Sequence, residues 1–200
     1  MSIRHKLCEY GTGIPSILTI LFGAAYGSVN TFIAMMASEV GIENAGLFFI
    51  VGTIFVFISR PFGGRIFDSK GGFWVILPGG ILYLIGLGIL VSAQSLTVLL
   101  VASVFYGFGG GLLLPSLMTW MLNVVTPDRR SGASATFYNM LDIGTSSGII
   151  LLGSVAGSIG YINMYYYVIG VMIIFIAFFM FNHFVLQKKV KKQNQQEELA

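Results

Sequence analysis

Arg60-Pro61-Phe62-Gly63-Gly64-Arg65-Ile66-Phe67-Asp68-Ser69-Lys70-Gly71-Gly72 is a short polar island between two long apolar runs. Its basic residues Arg60, Arg65 and Lys70 bracket a single acid, Asp68. A charged segment placed between runs of about 20 apolar residues reads as a loop at a membrane surface.

The rest of the chain supports a membrane setting. Of its 200 residues 56% are hydrophobic and only 10% charged, with a mean hydropathy of +0.85. A soluble domain carries roughly 25% charged residues. There is room for about six or seven spans and little else, so no soluble catalytic domain is expected. The pI near 9.0 comes from short basic clusters at the ends of apolar runs, which is bilayer topology rather than a nucleic-acid footprint. The lone Cys8 excludes an internal disulfide framework and a multi-cysteine metal site, and no cofactor is expected. Arg4 and Lys6 precede Glu9 and the turn-forming Gly11-Thr12-Gly13, and the apolar run that follows is long enough to span, so no cleaved leader is expected.

Taken in order, the chain predicts six helices. The first runs from Ile14 to Ala37, with Pro15 tolerated in its first turn, and the second from Ala45 to about Phe62. The uncharged stretch between Gly71 and Pro127 is too long for one crossing, and Ser92-Ala93-Gln94-Ser95 divides it into helices at about Phe73 to Val91 and Leu96 to Val125. Thr126-Pro127-Asp128-Arg129-Arg130-Ser131 makes a second charged loop. Helices from about Gly132 to Ala156 and Tyr161 to Val185 complete the set, joined by Gly157-Ser158-Ile159-Gly160. The expected organisation is therefore an N-terminal segment 1–13, a transmembrane domain 14–186 and a basic, disordered tail 187–200.

With six spans, all eleven Lys and Arg residues fall on the side shared by both termini. The positive-inside bias makes that side cytoplasmic and turns Glu39 and Glu43 outward.

The pattern Gly64, three residues, Asp68, then Lys70 and Gly71 resembles the cytoplasmic signature loop of the major facilitator superfamily of secondary transporters. It departs from that pattern at Ser69, where the family has a basic residue, and at Gly72 and Phe73, where it has a basic pair. The loop from Thr126 to Ala135, followed by Gly144, Gly148, Gly153 and Gly157, is similar to the junction before the eleventh helix of full-length members. Pro15, Tyr26-Gly27, Thr31-Phe32 and Arg60-Pro61 resemble the start of the C-terminal half in drug and sugar efflux members.

The resemblance implies an all-α membrane protein: six transmembrane helices as a 3+3 inverted repeat, half of the family's fold, with substrate bound between two halves. It implies a carrier in a bacterial plasma membrane, most simply proton-coupled efflux of a drug or small metabolite. Uptake of a sugar or metabolite is the alternative. A full member has about twelve helices, so the second half would come from the same gene, a partner or a second copy. A split or truncated remnant that transports nothing alone stays open.

Asp142 is the sole charge deep inside an apolar run, and an ionised carboxyl facing lipid costs about 3 kcal/mol or more. It should therefore point at a cavity or a partner. Asn139, Asp142, Thr145 and Ser146 recur at helical spacing, so proton coupling or binding of a cationic substrate is one role and a structural hydrogen bond the other. Ser16, Thr19, Gly23, Tyr26 and Asn30 make a second stripe on the first helix, lining either a water-filled path or a helix contact; the resemblance favours the path. On helix four, Tyr106, Gly107, Gly110 and Gly111 read as packing residues. Tyr165, Tyr166, Tyr167, Phe175, Phe178 and Phe179 read as a lipid-facing belt. The resemblance gives Asp68 a gating role through Arg60, Arg65, Arg129 and Arg130.

Rival classes fare worse. Gly132-Ala133-Ser134-Ala135 has the outline of a nucleophile turn, but His5 and His183 lie at the chain ends, where neither reaches Ser134 inside a bilayer. No catalytic residues and no metal site are assigned, and the sequence has neither a potassium-channel filter nor an arginine ladder.

Overall fold

Lipid tails are as apolar as leucine, so membrane helices associate where small residues let their backbones touch. The computed structural model describes residues 12–197, with side chains as far as Phe184. Helices α1 (Gly13–Glu39), α2 (Leu47–Lys70), α3 (Phe73–Val91) and α4 (Leu96–Asn123) are followed by a 3₁₀ turn (Pro127–Arg129), α5 (Arg130–Ile159) and α6 (Tyr161–Glu197). All six helices are long and apolar enough to cross a membrane.

Helix α1 packs against α5 and α6, α4 packs against α2 and α3, and α3 meets α6. Exchanging α1–α3 for α4–α6 converts α1–α5 into α4–α2 and α1–α6 into α4–α3. Each repeat holds an odd number of helices, so the second enters the membrane in the opposite sense: the 3+3 inverted repeat. In one row stand α2, α4, α1 and α5, with α3 and α6 behind. The fully buried Phe22, Tyr83, Tyr165 and Phe175 fill the space between.

The two matching crossings are built alike. At α1–α5, a Cβ on Gly23 would lie 2.7 Å from the Leu141 carbonyl oxygen, and one on Gly148 would lie 2.5 Å from that of Ala24. At α4–α2, a Cβ on Gly107 would strike the Gly52 backbone and one on Gly111 would come within 2.9 Å of Val56 Cα. The contact glycines of α1, Gly23 and Gly27, stand four residues apart, as do Gly107 and Gly111 of α4. Packing is thus the role of Gly107 and Gly111.

Several expected boundaries move. The polar island is not a loop: α2 continues through Pro61 to Lys70, and only Gly71 and Gly72 make the turn. Proline removes one backbone donor but leaves later turns free to form. Ser69 Oγ donates back to the Arg65 carbonyl at 2.8 Å, and Gly71 breaks the helix with a φ of 88°. Helix α5 begins at Arg130, because the turn opened by Pro127 runs straight into it. Only Gly160, with a φ of 87°, separates α5 from α6. The backbone of α6 is helical to Glu197, and Lys, Gln and Glu are good helix formers. Residues 1–11, Cys8 among them, lie outside the described residues, and so do the expectations that concern them.

At the end opposite the basic clusters, the Tyr161 amide donates to Glu39 Oε2 at 2.7 Å. A carboxylate at a helix N-terminus is favoured by up to about 1 kcal/mol, and here it links the end of α1 to the start of α6.

The backbone contacts predict a graded response to added methyl groups. Gly148→Ala should lower stability in detergent by about 1–3 kcal/mol through overpacking. Gly88→Ala, where nothing lies within 4 Å of the new atom, should leave the thermal midpoint unchanged or slightly raised. Equal effects would rule out the crossing as the sensitive point.

Candidate functional site

Asp142 lies roughly 18 Å along α5 from Arg130 at 1.5 Å per residue, which is deep within the span. Its side chain is exposed on the outside of the six-helix unit, as are Tyr138 and Ser146 one turn to either side. Among the described residues Asp142 makes no hydrogen bond or ion pair. The internal hydrogen bond to another helix, one of its two expected roles, is therefore not made within this unit.

The stripe on α5 divides. Residues 138, 142 and 146 lie close to one line on a helix, with 139 and 145 about 60° to either side. Asn139 is half-buried, while Thr145 turns toward α1 and donates from Oγ1 to the Gly23 carbonyl at 3.3 Å. Close approach through Gly23 and Gly27 puts that carbonyl within reach.

The α1 stripe divides between buried and half-buried positions. Ser16 and Thr19 are buried, and Thr19 Oγ1 donates to the Pro15 carbonyl at 2.8 Å. Tyr26 and Asn30 are half-buried. Asn30 Nδ2 donates to the Tyr106 hydroxyl at 2.9 Å and to the Tyr26 carbonyl at 2.8 Å, which joins α1 to α4 where the two repeats meet. The Tyr106 ring packs on Tyr83 with centroids 4.9 Å apart and on Phe48 at 5.2 Å. Tyr83 and Tyr165 are both 0% exposed, and neither hydroxyl has a hydrogen-bond partner among the described residues.

Sequence reasoning missed this buried phenol cluster. The sequence pattern puts Tyr165 in a lipid-facing belt, yet Tyr165, Phe175 and Phe179 are buried while Tyr166 and Tyr167 are exposed. Successive residues on a helix point about 100° apart, so three adjacent tyrosines cannot share one face.

Arg60, Gly64, Arg65, Asp68, Lys70 and Gly71 are all exposed at the basic end of α2, and Arg129 and Arg130 are exposed where α5 begins. Asp68 forms no ion pair with any of these arginines among the described residues. The Arg60 guanidinium instead lies 5.3 Å from the centroid of the Phe57 ring.

Residues 16–199 match the Major Facilitator Superfamily. The chain is 27% identical over 139 residues to the proton-coupled antiporter flippase LtaA of Staphylococcus saprophyticus, covering 68% of this chain and 35% of that protein. It is 25% identical over 171 residues to the staphylopine export protein of Staphylococcus aureus, covering 82% and 42% respectively. A mutant peptide transporter POT crystallised with alafosfalin superposes with a TM-score of 0.74 at 17% identity, over 88% of this chain and 39% of that one. The chain spans less than half the length of each of these proteins.

Removing the Asn30–Tyr106 hydrogen bond should cost on the order of 1 kcal/mol. In a double-mutant cycle of Asn30→Ala and Tyr106→Phe, read by thermal unfolding, the two losses should therefore fall short of additive by about that amount. Strict additivity would show that the contact between the repeats carries no energy.

Proposed function

Because the chain belongs to the major facilitator superfamily, we propose that it supplies one six-helix half of a secondary carrier that exports a small molecule in exchange for protons. The observation that carries this is Asp142, a carboxyl deep in the span on the outer surface of its own six-helix unit. Left against lipid, the ionised group would cost about 3 kcal/mol or more. Covered by a second half, it would line the path between them. There it can take up a proton, or pair with a cationic substrate, as access alternates. Asn139 and Ser146 flank it as hydrogen-bonding groups, and Tyr26 and Asn30 stand at the α1–α4 junction.

The second half comes from the same polypeptide, a partner or another copy of this chain. Two features support a second half: α2 and α5 are the least buried spans, and the relatives it resembles are longer. The names of those relatives support antiport and export. The basic end faces the cytoplasm of a bacterium in this scheme, and Asp68 serves the inner gate through groups on the other half.

Two measurements test this. An antiserum against residues 187–200 should detect in native membranes a band at about twice 21.7 kDa if the halves are fused, or at 21.7 kDa if they are not. In everted vesicles holding the assembled carrier, an imposed proton gradient should drive saturable uptake of ethidium, a lipophilic cation. Asp142→Asn should abolish the gradient-dependent part at unchanged membrane abundance, whereas Asp68→Asn should slow turnover without uncoupling it. Undiminished gradient-driven uptake by Asp142→Asn would remove the coupling role.

A further inference from the structure

At the basic end of the helix bundle the tips of four helices line an open cavity of about 520 Å³. Helix α2 contributes Phe67 and Lys70, α3 contributes Phe73 and Trp74, α4 contributes Trp120, and α6 contributes Asn182 and His183. It lies away from the α5 stripe that bears Asp142. Sequence reasoning gave these aromatic residues no role beyond the membrane.

The walls are aromatic and mutually braced. Phe73 stacks on His183, with centroids 4.1 Å apart and planes 24° apart, and on Phe179 at 5.9 Å. Trp74 meets Phe73 edge-on at 5.8 Å, and Trp120 meets Phe179 in the same way at 5.8 Å. The polar members are a cation, an amide, a histidine and two indoles, and among the described residues no carboxylate lines the cavity. Among the described residues Lys70 has no acceptor, and neither indole N–H donates a hydrogen bond. Asn182 spends its Nδ2 on the Phe178 carbonyl at 2.8 Å.

This chemistry selects an amphipathic anion. A small-ligand pocket measures roughly 300–1,000 Å³, so the space far exceeds what one phosphate group fills. Tryptophan and lysine near a helix end also serve as a general interfacial belt. A belt places its residues separately around the protein, whereas both tryptophans of this chain meet in one cavity with the cation.

We propose that this cavity binds one anionic phospholipid from the adjacent leaflet. The Lys70 ammonium and the indole N–H groups receive the phosphate, and Phe73 and Trp74 flank the first part of the acyl chain. Only the transmembrane arrangement is required. The site is independent of the transported substrate, of Asp142 and of which face of the membrane is cytoplasmic.

Because the only two tryptophans both line the cavity, intrinsic fluorescence reads the site directly. The purified full chain would be placed in vesicles of phosphatidylcholine with a minor fraction of phosphatidylglycerol, with bromine on the acyl chains of one lipid or the other. Quenching per mole of brominated lipid should be about fivefold greater for phosphatidylglycerol, as attraction to one interfacial cation predicts. Lys70→Gln should bring that ratio close to one. Arg65→Gln removes a charge at the same end but outside the cavity and should leave the ratio unchanged. Equal quenching by the two lipids, or an equal loss with Arg65→Gln, overturns the proposal in favour of diffuse surface attraction. Soluble glycerol phosphate tests the other source: relief of quenching would mean the cavity takes a water-borne organic phosphate instead of a lipid, while no relief supports the lipid.

Discussion

Close backbone approach through glycine is the constraint on which this bundle depends. Within a bilayer, burial of apolar surface does not drive one helix onto another, so contact must come from van der Waals packing and interhelical hydrogen bonds. Gly23, Gly27, Gly144 and Gly148 bring α1 and α5 together, while Gly52, Gly107 and Gly111 do the same for α2 and α4. These crossings hold α5 by one flank and thereby determine which of its residues remain outside. The exposure of Asp142 follows from the position of Gly144 and Gly148 on the same helix.

The same crossings explain why polar residues with similar spacing meet different fates. Thr145 lies close to a bare stretch of α1 backbone and is absorbed into the contact through the Gly23 carbonyl. Asp142 and Ser146 lie beyond the edge of that contact. Where the repeats meet, Asn30 and Tyr106 form a hydrogen bond between α1 and α4, beside two buried phenols whose hydroxyls have no protein partner among the described residues. Buried hydroxyls are ordinarily bonded, so each such exception marks a place where ordered water or movement would change the energetics.

The opposite ends of the bundle differ in chemistry. At one end the Glu39 carboxylate receives the first amide of α6 and draws α1 and α6 together. At the other, exposed cations and aromatic rings surround an open cavity in which no acid stands among the described residues. The polar island belongs to this second end, and its extra helical turns bring Phe67 and Lys70 into the cavity wall. A flexible loop would not hold them there.

Membrane topology was legible in the sequence because it is a one-dimensional problem. Bilayer thickness sets how long an apolar run must be and backbone hydrogen bonding requires it to be helical, so the number of spans followed from order alone. The ends of α3 at Phe73 and Val91 were read directly, and residues such as Gly64, Asp68 and the spaced glycines after Arg130 carried the family resemblance. The extent of α2 was not legible, because charged residues end a membrane span without ending a helix. Nor was the fate of individual side chains. Burial of Tyr165, the turn of Thr145 toward α1, exposure of Asp142 and the convergence of Trp74, Trp120, Lys70 and His183 depend on where helices distant in sequence cross. Tertiary structure alone decided those, because a neighbour contributed by another helix leaves no trace in local composition or spacing.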